Sequence, residues 1–177
     1  MSDDAISHLI ESRLREVPDF PRPGIVFKDI SPLLADGAAF ARVIRELAAC
    51  VAGAPVELVA GVEARGFLLA GAVARELDCG LVPVRKAGKL PPPVLRRAYQ
   101  LEYGTAEIEV SVDLLAGRRV LLVDDVLATG GTLRAAAELI AEAGGTVIGL
   151  AVLLELAFLD GRAALAGLAP LNVLLRA

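Results

Sequence analysis

Asp124 and Asp125 stand side by side between an apolar run, Val120 to Val123, and a small-residue stretch, Ala128-Thr129-Gly130-Gly131-Thr132. Leu133 to Ala143 then continues without proline or glycine, so the segment reads strand, loop, helix. A helix start exposes unpaired N–H groups and the positive end of the helix dipole, which suits a phosphate. Gly130 and Gly131 permit close approach of the backbone. Thr129 and Thr132 add hydroxyl donors, and Thr132 is expected to cap the helix. A carboxylate next to a phosphate would repel it. One sugar ring away it can accept hydrogen bonds from vicinal hydroxyls and stabilise positive charge at an anomeric carbon. The spacing suggests a ribose 5-phosphate; the competing reading is a solvated acidic turn ahead of an ordinary helix. Two like charges after a buried run are costly without partners. Gly131-Thr132 lacks the lysine of a Walker loop, which disfavours an ATPase of that type.

Three other segments carry chemistry. Gly61-Val62-Glu63-Ala64-Arg65-Gly66 sets a charged pair at a second strand end, where Arg65 is either a ligand for phosphate oxygens or the partner of Glu63. Arg85, Lys86, Lys89, Arg96 and Arg97 cluster around Pro91-Pro92-Pro93, ahead of a hairpin pattern centred on Gly104-Thr105. They form either a solvated loop or a lid that closes over an anion and excludes water. This segment is expected to be an arm rather than core. Phe20 to Ile30 is a Pro/Gly turn that presents Phe27, which either stacks on a base or pins the N-terminal segment to the core.

The elements that must position these groups follow from hydrophobic periodicity. Ile6, Leu9, Ile10, Leu14 and Val17 mark one helix; Phe40 to Val51 marks a second, begun near Asp36. Strands are expected at 56–61, 81–84, 119–123, 146–154 and 171–175, with helices at 66–77, 132–143 and 161–166. This alternation predicts an α/β fold with a central parallel sheet of about five strands, whose ligands bind at the carboxyl ends.

The chain of 177 residues is 55% hydrophobic, with mean hydropathy +0.61, which fits one domain and argues against disorder. No apolar run reaches membrane-spanning length, and Met1-Ser2-Asp3-Asp4 is unlike a signal peptide, so a cytoplasmic protein without membrane partners is expected. A net charge of −4 and a pI near 5.1 give no field for nucleic acid. Cys50 and Cys79 read as buried free thiols, and the single His8 excludes a His-based triad or a His-rich metal centre.

With these motifs in hand, the chain resembles the type I phosphoribosyltransferases, and over about Val17 to Phe158 their adenine-specific members. The carriers are Asp124-Asp125 with the Thr-Gly-Gly loop, Glu63-Ala64-Arg65-Gly66, Arg85-Lys86-Ala87-Gly88-Lys89-Leu90-Pro91 with Leu101-Glu102-Tyr103-Gly104, and Phe20-Pro21-Arg22-Pro23-Gly24-Ile25-Val26-Phe27-Lys28-Asp29-Ile30. The resemblance implies a single domain, 1–177, with a hood at about 17–34 and a flexible hairpin arm at about 85–112. It implies transfer of the phosphoribosyl group of phosphoribosyl pyrophosphate (PRPP) to adenine through an oxocarbenium-like transition state. Asp124, Asp125, Ala128, Thr129, Gly130, Gly131 and Thr132 would then hold ribose and 5-phosphate, and Arg65, Lys86 and Lys89 the pyrophosphate. Glu102 would be the acid/base, with Tyr103 ordering the lid. Val26 and Lys28 would meet adenine through their main chain, with Phe27 on one face and Leu156 on the other.

The metal implied is Mg²⁺, held mainly by PRPP oxygens and water with no dedicated protein site, and the oligomer implied is a homodimer. A hypoxanthine, guanine or xanthine enzyme and a non-catalytic PRPP-sensing regulator are the alternatives. Two departures stand out: the rigid Pro91-Pro92-Pro93 and the short C-terminal stretch Leu171 to Ala177.

Overall fold

The computed structural model describes residues 3–51, 53–101 and 104–177. In chain order the elements are α1 (Asp3–Glu11), β1 (Arg15–Val17), β2 (Phe27–Asp29), α2 (Ser31–Ala35), α3 (Gly37–Ala49), β3 (Leu58–Val62), α4 (Gly66–Glu76), β4 (Gly80–Lys86), β5 (Val94–Leu101), β6 (Gly104–Ser111), β7 (Arg119–Leu127), α5 (Gly131–Glu142), β8 (Thr146–Glu155), a 3-10 turn (Ala157–Leu159), α6 (Gly161–Ala164) and β9 (Leu171–Arg176).

Seven strands form one sheet in the order β5-β6-β4-β3-β7-β8-β9. The run β4-β3-β7-β8-β9 is parallel, as the βα alternation requires, while β6 joins β4 antiparallel and β5 pairs with β6. Side chains alternate across β7 with period 2: Leu121 and Val123 face the core under α1, α3 and α4, whereas Val120 and Leu122 face the core under α5. All four are fully buried. The central apolar run is thus continuous because both faces of the sheet are covered. Asp36 starts α3 as expected: its Oδ1 accepts from the Ala38 and Ala39 N–H groups, both at 3.1 Å.

Two expectations change. Val17 does not extend the first helix. It stands before Pro18, whose ring disfavours helical backbone for its predecessor, and pairs instead with Phe27 in the small β1–β2 ribbon. The hairpin is also more than an arm. Arg85 and Lys86 pair with Glu109 and Ile108, and Ile108 and Val110 are buried in the α5-side core, so the base of the hairpin belongs to the sheet.

Glu109 anchors that base. It is fully buried, and its Oε1 accepts from the Lys89 and Leu90 N–H groups, each at 2.6 Å, while Oε2 accepts from Arg96 Nε at 2.9 Å. Burial pushes its carboxyl up, but the backbone donors and Arg96 outweigh this and hold it at about 2. An ionised carboxylate therefore sets the turn that carries Lys89.

Cys50 and Cys79 are free and half-buried, and burial pushes the Cys50 thiol up to about 11. Among the described residues no helix is long and apolar enough to cross a membrane.

Candidate active site

β3 lies between β4 and β7, so successive connections leave it in opposite directions and open a crevice at its carboxyl end. Both sequence-selected strand ends meet there. Gly66, at the start of α4, lies so close to β7 that a Cβ would stand 2.8 Å from Asp124 Oδ1 and 3.2 Å from the Val123 carbonyl oxygen. Glycine at this position lets the Glu63-to-Gly66 loop touch the aspartate pair.

Asp124 and Asp125 are not loop residues, because β7 continues through Leu127. They are 8% and 7% exposed. Burial, followed by repulsion from Asp125, holds the Asp124 carboxyl well above its ordinary range. Burial also raises Asp125, and the Arg65 guanidinium opposes that rise. The solvated-turn reading is therefore excluded: both groups are buried at a strand end. Asp124 Oδ1 accepts from the Asp125 N–H at 2.9 Å.

Arg65 pairs with Asp125, not with Glu63. Its Nε lies 2.7 Å from Asp125 Oδ2, yet that oxygen has no aligned hydrogen-bond donor and keeps an unused acceptor site. The guanidinium carbon also stands 4.9 Å from the Phe27 ring centroid, and Phe20 meets the same ring edge-on at 5.3 Å. Glu63 serves the arm instead: it accepts from the Lys86 N–H at 2.9 Å and Lys89 Nζ at 2.6 Å, with Arg85 Nε at 3.3 Å. Lys86 and Lys89 are thereby tethered beside the loop that carries Arg65.

The phosphate loop has the expected shape with one correction. Gly130 occupies the N-cap of α5 at φ +82°, a left-handed conformation natural to glycine, and no side chain caps the helix. Thr132 lies inside the first turn, two residues past the capping position, because the helix begins at Gly131 and Gly130 is its N-cap. The unpaired N–H groups at this helix start thus have no side-chain cap.

A cavity of about 840 Å³ opens beside the loop. Val26, Lys28 and Leu156 line it, as do Ala128 and Thr129, so base-site and phosphate-site candidates share one space. Phe27 does not line it. β2 alternates, and its side chain turns away from that of Lys28 toward Arg65. Sequence reasoning missed Glu16, Phe158 and Leu159 in the lining. Glu16 faces Lys28 across the β1–β2 ladder and forms an ion pair with it, a consequence of a register that no short motif announces. Glu102 and Tyr103 lie outside the described residues.

A family model for the phosphoribosyl transferase domain matches residues 33–164. The chain is 59% identical over 160 residues to an adenine phosphoribosyltransferase of Kineococcus radiotolerans, covering 90% of this chain and 86% of the relative. The crystal structure of adenine phosphoribosyltransferase from Rhodothermus marinus superposes with a TM-score of 0.93 at 44% identity, covering 98% of this chain and 99% of that one. APRTase from Giardia lamblia, crystallised with 9-deazaadenine, superposes with a TM-score of 0.91 at 41% identity over 100% of this chain and 98% of its own.

Proposed function

This chain belongs to the adenine phosphoribosyltransferase family, and from that premise we propose that it transfers the phosphoribosyl group of PRPP to N9 of adenine through the residues gathered at the β3–β7 crevice. AMP and pyrophosphate are the products. The observation that carries this reading is the shared cavity, which Val26, Lys28 and Leu156 line together with Ala128 and Thr129 of the loop before α5. A nucleotide must place its base and its 5-phosphate at opposite ends of one ribose, and this space offers both ends.

In the reaction the C1′–O bond to pyrophosphate breaks, with the electron pair leaving on pyrophosphate, while the adenine N9 pair forms the C1′–N9 bond. Ala128 to Thr132 hold the 5-phosphate. Asp124 and Asp125 accept from the ribose hydroxyls and stabilise positive charge at C1′; the unused Asp125 acceptor site supports this role. Arg65, Lys86 and Lys89 meet pyrophosphate, and the Glu63 tether on the last two supports their placement. Val26 and Lys28 present main-chain groups to the base, with Leu156 on one face. For Phe27 to stack on the other, its ring must leave Arg65 and turn to the cavity. Glu102 handles the N9 proton.

Among the described residues no group of three or more His, Cys, Asp or Glu side chains could hold a metal. Mg²⁺ would then be held mainly by PRPP oxygens and water, with Asp124 and Asp125 serving the ribose rather than the metal. When bound, the ion neutralises charge on the leaving pyrophosphate.

Incubation with PRPP, Mg²⁺ and each purine base in turn is expected to yield AMP from adenine and little product from hypoxanthine, guanine or xanthine. A preference for an oxopurine would establish a sister enzyme, and PRPP binding without turnover a regulator. We further assign one domain, with the hood at about 17–34 and the arm at about 85–112, a cytoplasmic location and a homodimer. Leu68 of α4 and Leu81 of β4, 54% and 46% exposed, are apolar surface that supports a subunit contact. Sizing in solution tests the dimer, and a monomer would remove it; cell fractionation tests the location.

A further inference from the structure

One buried carboxylate near the cavity has no part in the reaction as described. Glu155 ends β8 and is 1% exposed. A buried charge of this kind persists only with partners. Arg162 of α6 supplies them as a fork, with Nε 3.2 Å from Oε1 and Nη2 2.6 Å from Oε2, while Arg176 Nε of β9 stands 3.9 Å from Oε2. The charge-assisted bond to Arg162 leads in holding the Glu155 carboxyl below its ordinary range.

What lies between the two partners is the wall of the base cavity. Leu156, Phe158 and Leu159 all line it, and all fall within the seven-residue step from Glu155 to Arg162. The backbone of this step is fastened at its start, where the Leu156 N–H donates to the Leu127 carbonyl at 2.9 Å and the Ala157 N–H to the Ala177 carbonyl at 2.7 Å. At its far end α6 is pressed onto the phosphate loop: a Cβ on Gly161 would stand 2.0 Å from the Ala128 carbonyl oxygen, and one on Gly130 would stand 2.4 Å from the Gly161 carbonyl oxygen. Among the described residues the Arg162–Glu155 bridge is the side-chain link between these two ends. Asp160, between them, takes a left-handed conformation at φ +48°, so the segment turns sharply where the bridge closes it.

We propose that Arg162 and Glu155 are positioning residues that hold the Leu156-to-Leu159 wall over the base and thereby set the affinity for adenine. The proposal rests on the reading that the 840 Å³ cavity takes the base. Neither side chain touches the reacting atoms. The pair acts by shaping a surface that contributes binding in the ground state and the transition state alike, so its loss falls on KM rather than kcat.

The test compares steady-state kinetics of the wild type with Arg162→Ala, Arg162→Lys, Glu155→Gln, the double variant Arg162→Ala/Glu155→Gln, and Leu156→Ala. Arg162 is half-exposed, but its truncation leaves Glu155 buried beside Arg176 alone, so the double variant, which removes both charges, separates a loss of stability from a loss of positioning. Arg162→Ala is expected to raise KM for adenine about tenfold, with kcat and KM for PRPP changed by less than about twofold. Arg162→Lys is expected to recover part of the loss, and the double variant to be no worse than Arg162→Ala, because the two residues act as one unit. An unchanged KM for adenine in Arg162→Ala, beside a raised one in Leu156→Ala, would overturn the positioning role and leave the cavity reading intact. An unchanged KM in both would overturn the cavity reading and this proposal with it.

Discussion

Asp124→Asn is expected to remove most of the turnover while making the folded protein more stable. Asp124 is 8% exposed, stands beside Asp125, and accepts a bond from the Asp125 N–H. Asparagine keeps that acceptor and removes one of two adjacent buried carboxyl groups. A carboxyl whose folded pKa lies above its unfolded value costs stability as pH rises. Once pH exceeds about 4 the unfolded chain loses this proton while the folded one retains it, so stability falls with increasing pH until the folded group also ionises. The variant lacks that fall. A gain of about 1 kcal/mol in unfolding free energy at pH 7 is expected, shrinking toward zero near pH 3. Catalysis moves the other way: if Asp124 holds the ribose as proposed, a neutral amide cannot supply negative charge to C1′, and kcat is expected to drop about 10²- to 10³-fold. Urea unfolding at both pH values beside AMP formation measures the two effects. A variant less stable than wild type at pH 7 would contradict the strain assigned to this pair.

Arg65→Ala is expected to damage both binding and stability, because this side chain serves three partners. In the structure it neutralises Asp125 at 2.7 Å and covers the Phe27 ring at 4.9 Å; in the reaction proposed above it meets pyrophosphate. Truncation leaves Asp125 buried without a counter-charge, at a cost of about 1–3 kcal/mol. It also removes a planar cation from the leaving group, and kcat/KM for PRPP is expected to fall at least about 10²-fold. Arg65→Lys restores a charge but not the planar fork, so it should recover stability better than turnover. Equal recovery of both would mean that Arg65 acts only as a counter-ion for Asp125.

The phosphate loop was legible because all its parts are contiguous. Strand, aspartates, glycines and helix follow one another within Val120 to Ala143, and their succession depends on local backbone alone. Even there the helix starts at Gly131 with Gly130 as its cap, two residues before Thr132, which places Thr132 inside the first turn. The hairpin misled for a different reason. Its basic, proline-rich approach has the composition of an exposed loop, whereas Ile108, Val110 and Glu109 are buried by their register against β4 and their packing under α5. Composition reports the average of a segment, and register decides each residue.

Sequence by itself therefore determined the βα order and the strand–loop–helix succession that sets Asp124, Asp125 and the glycine-rich helix start together, since each follows from neighbours in the chain. Tertiary structure alone decided the partnerships. Arg65 turned to Asp125 rather than Glu63, Glu63 to Lys89, Glu155 to Arg162, and Phe27 to Arg65 rather than the cavity. The reason is geometric: a charged side chain has several acceptors within reach of its sequence neighbours. Which one it meets is fixed only when strands pair in one register and a glycine such as Gly66 lets two loops close to contact.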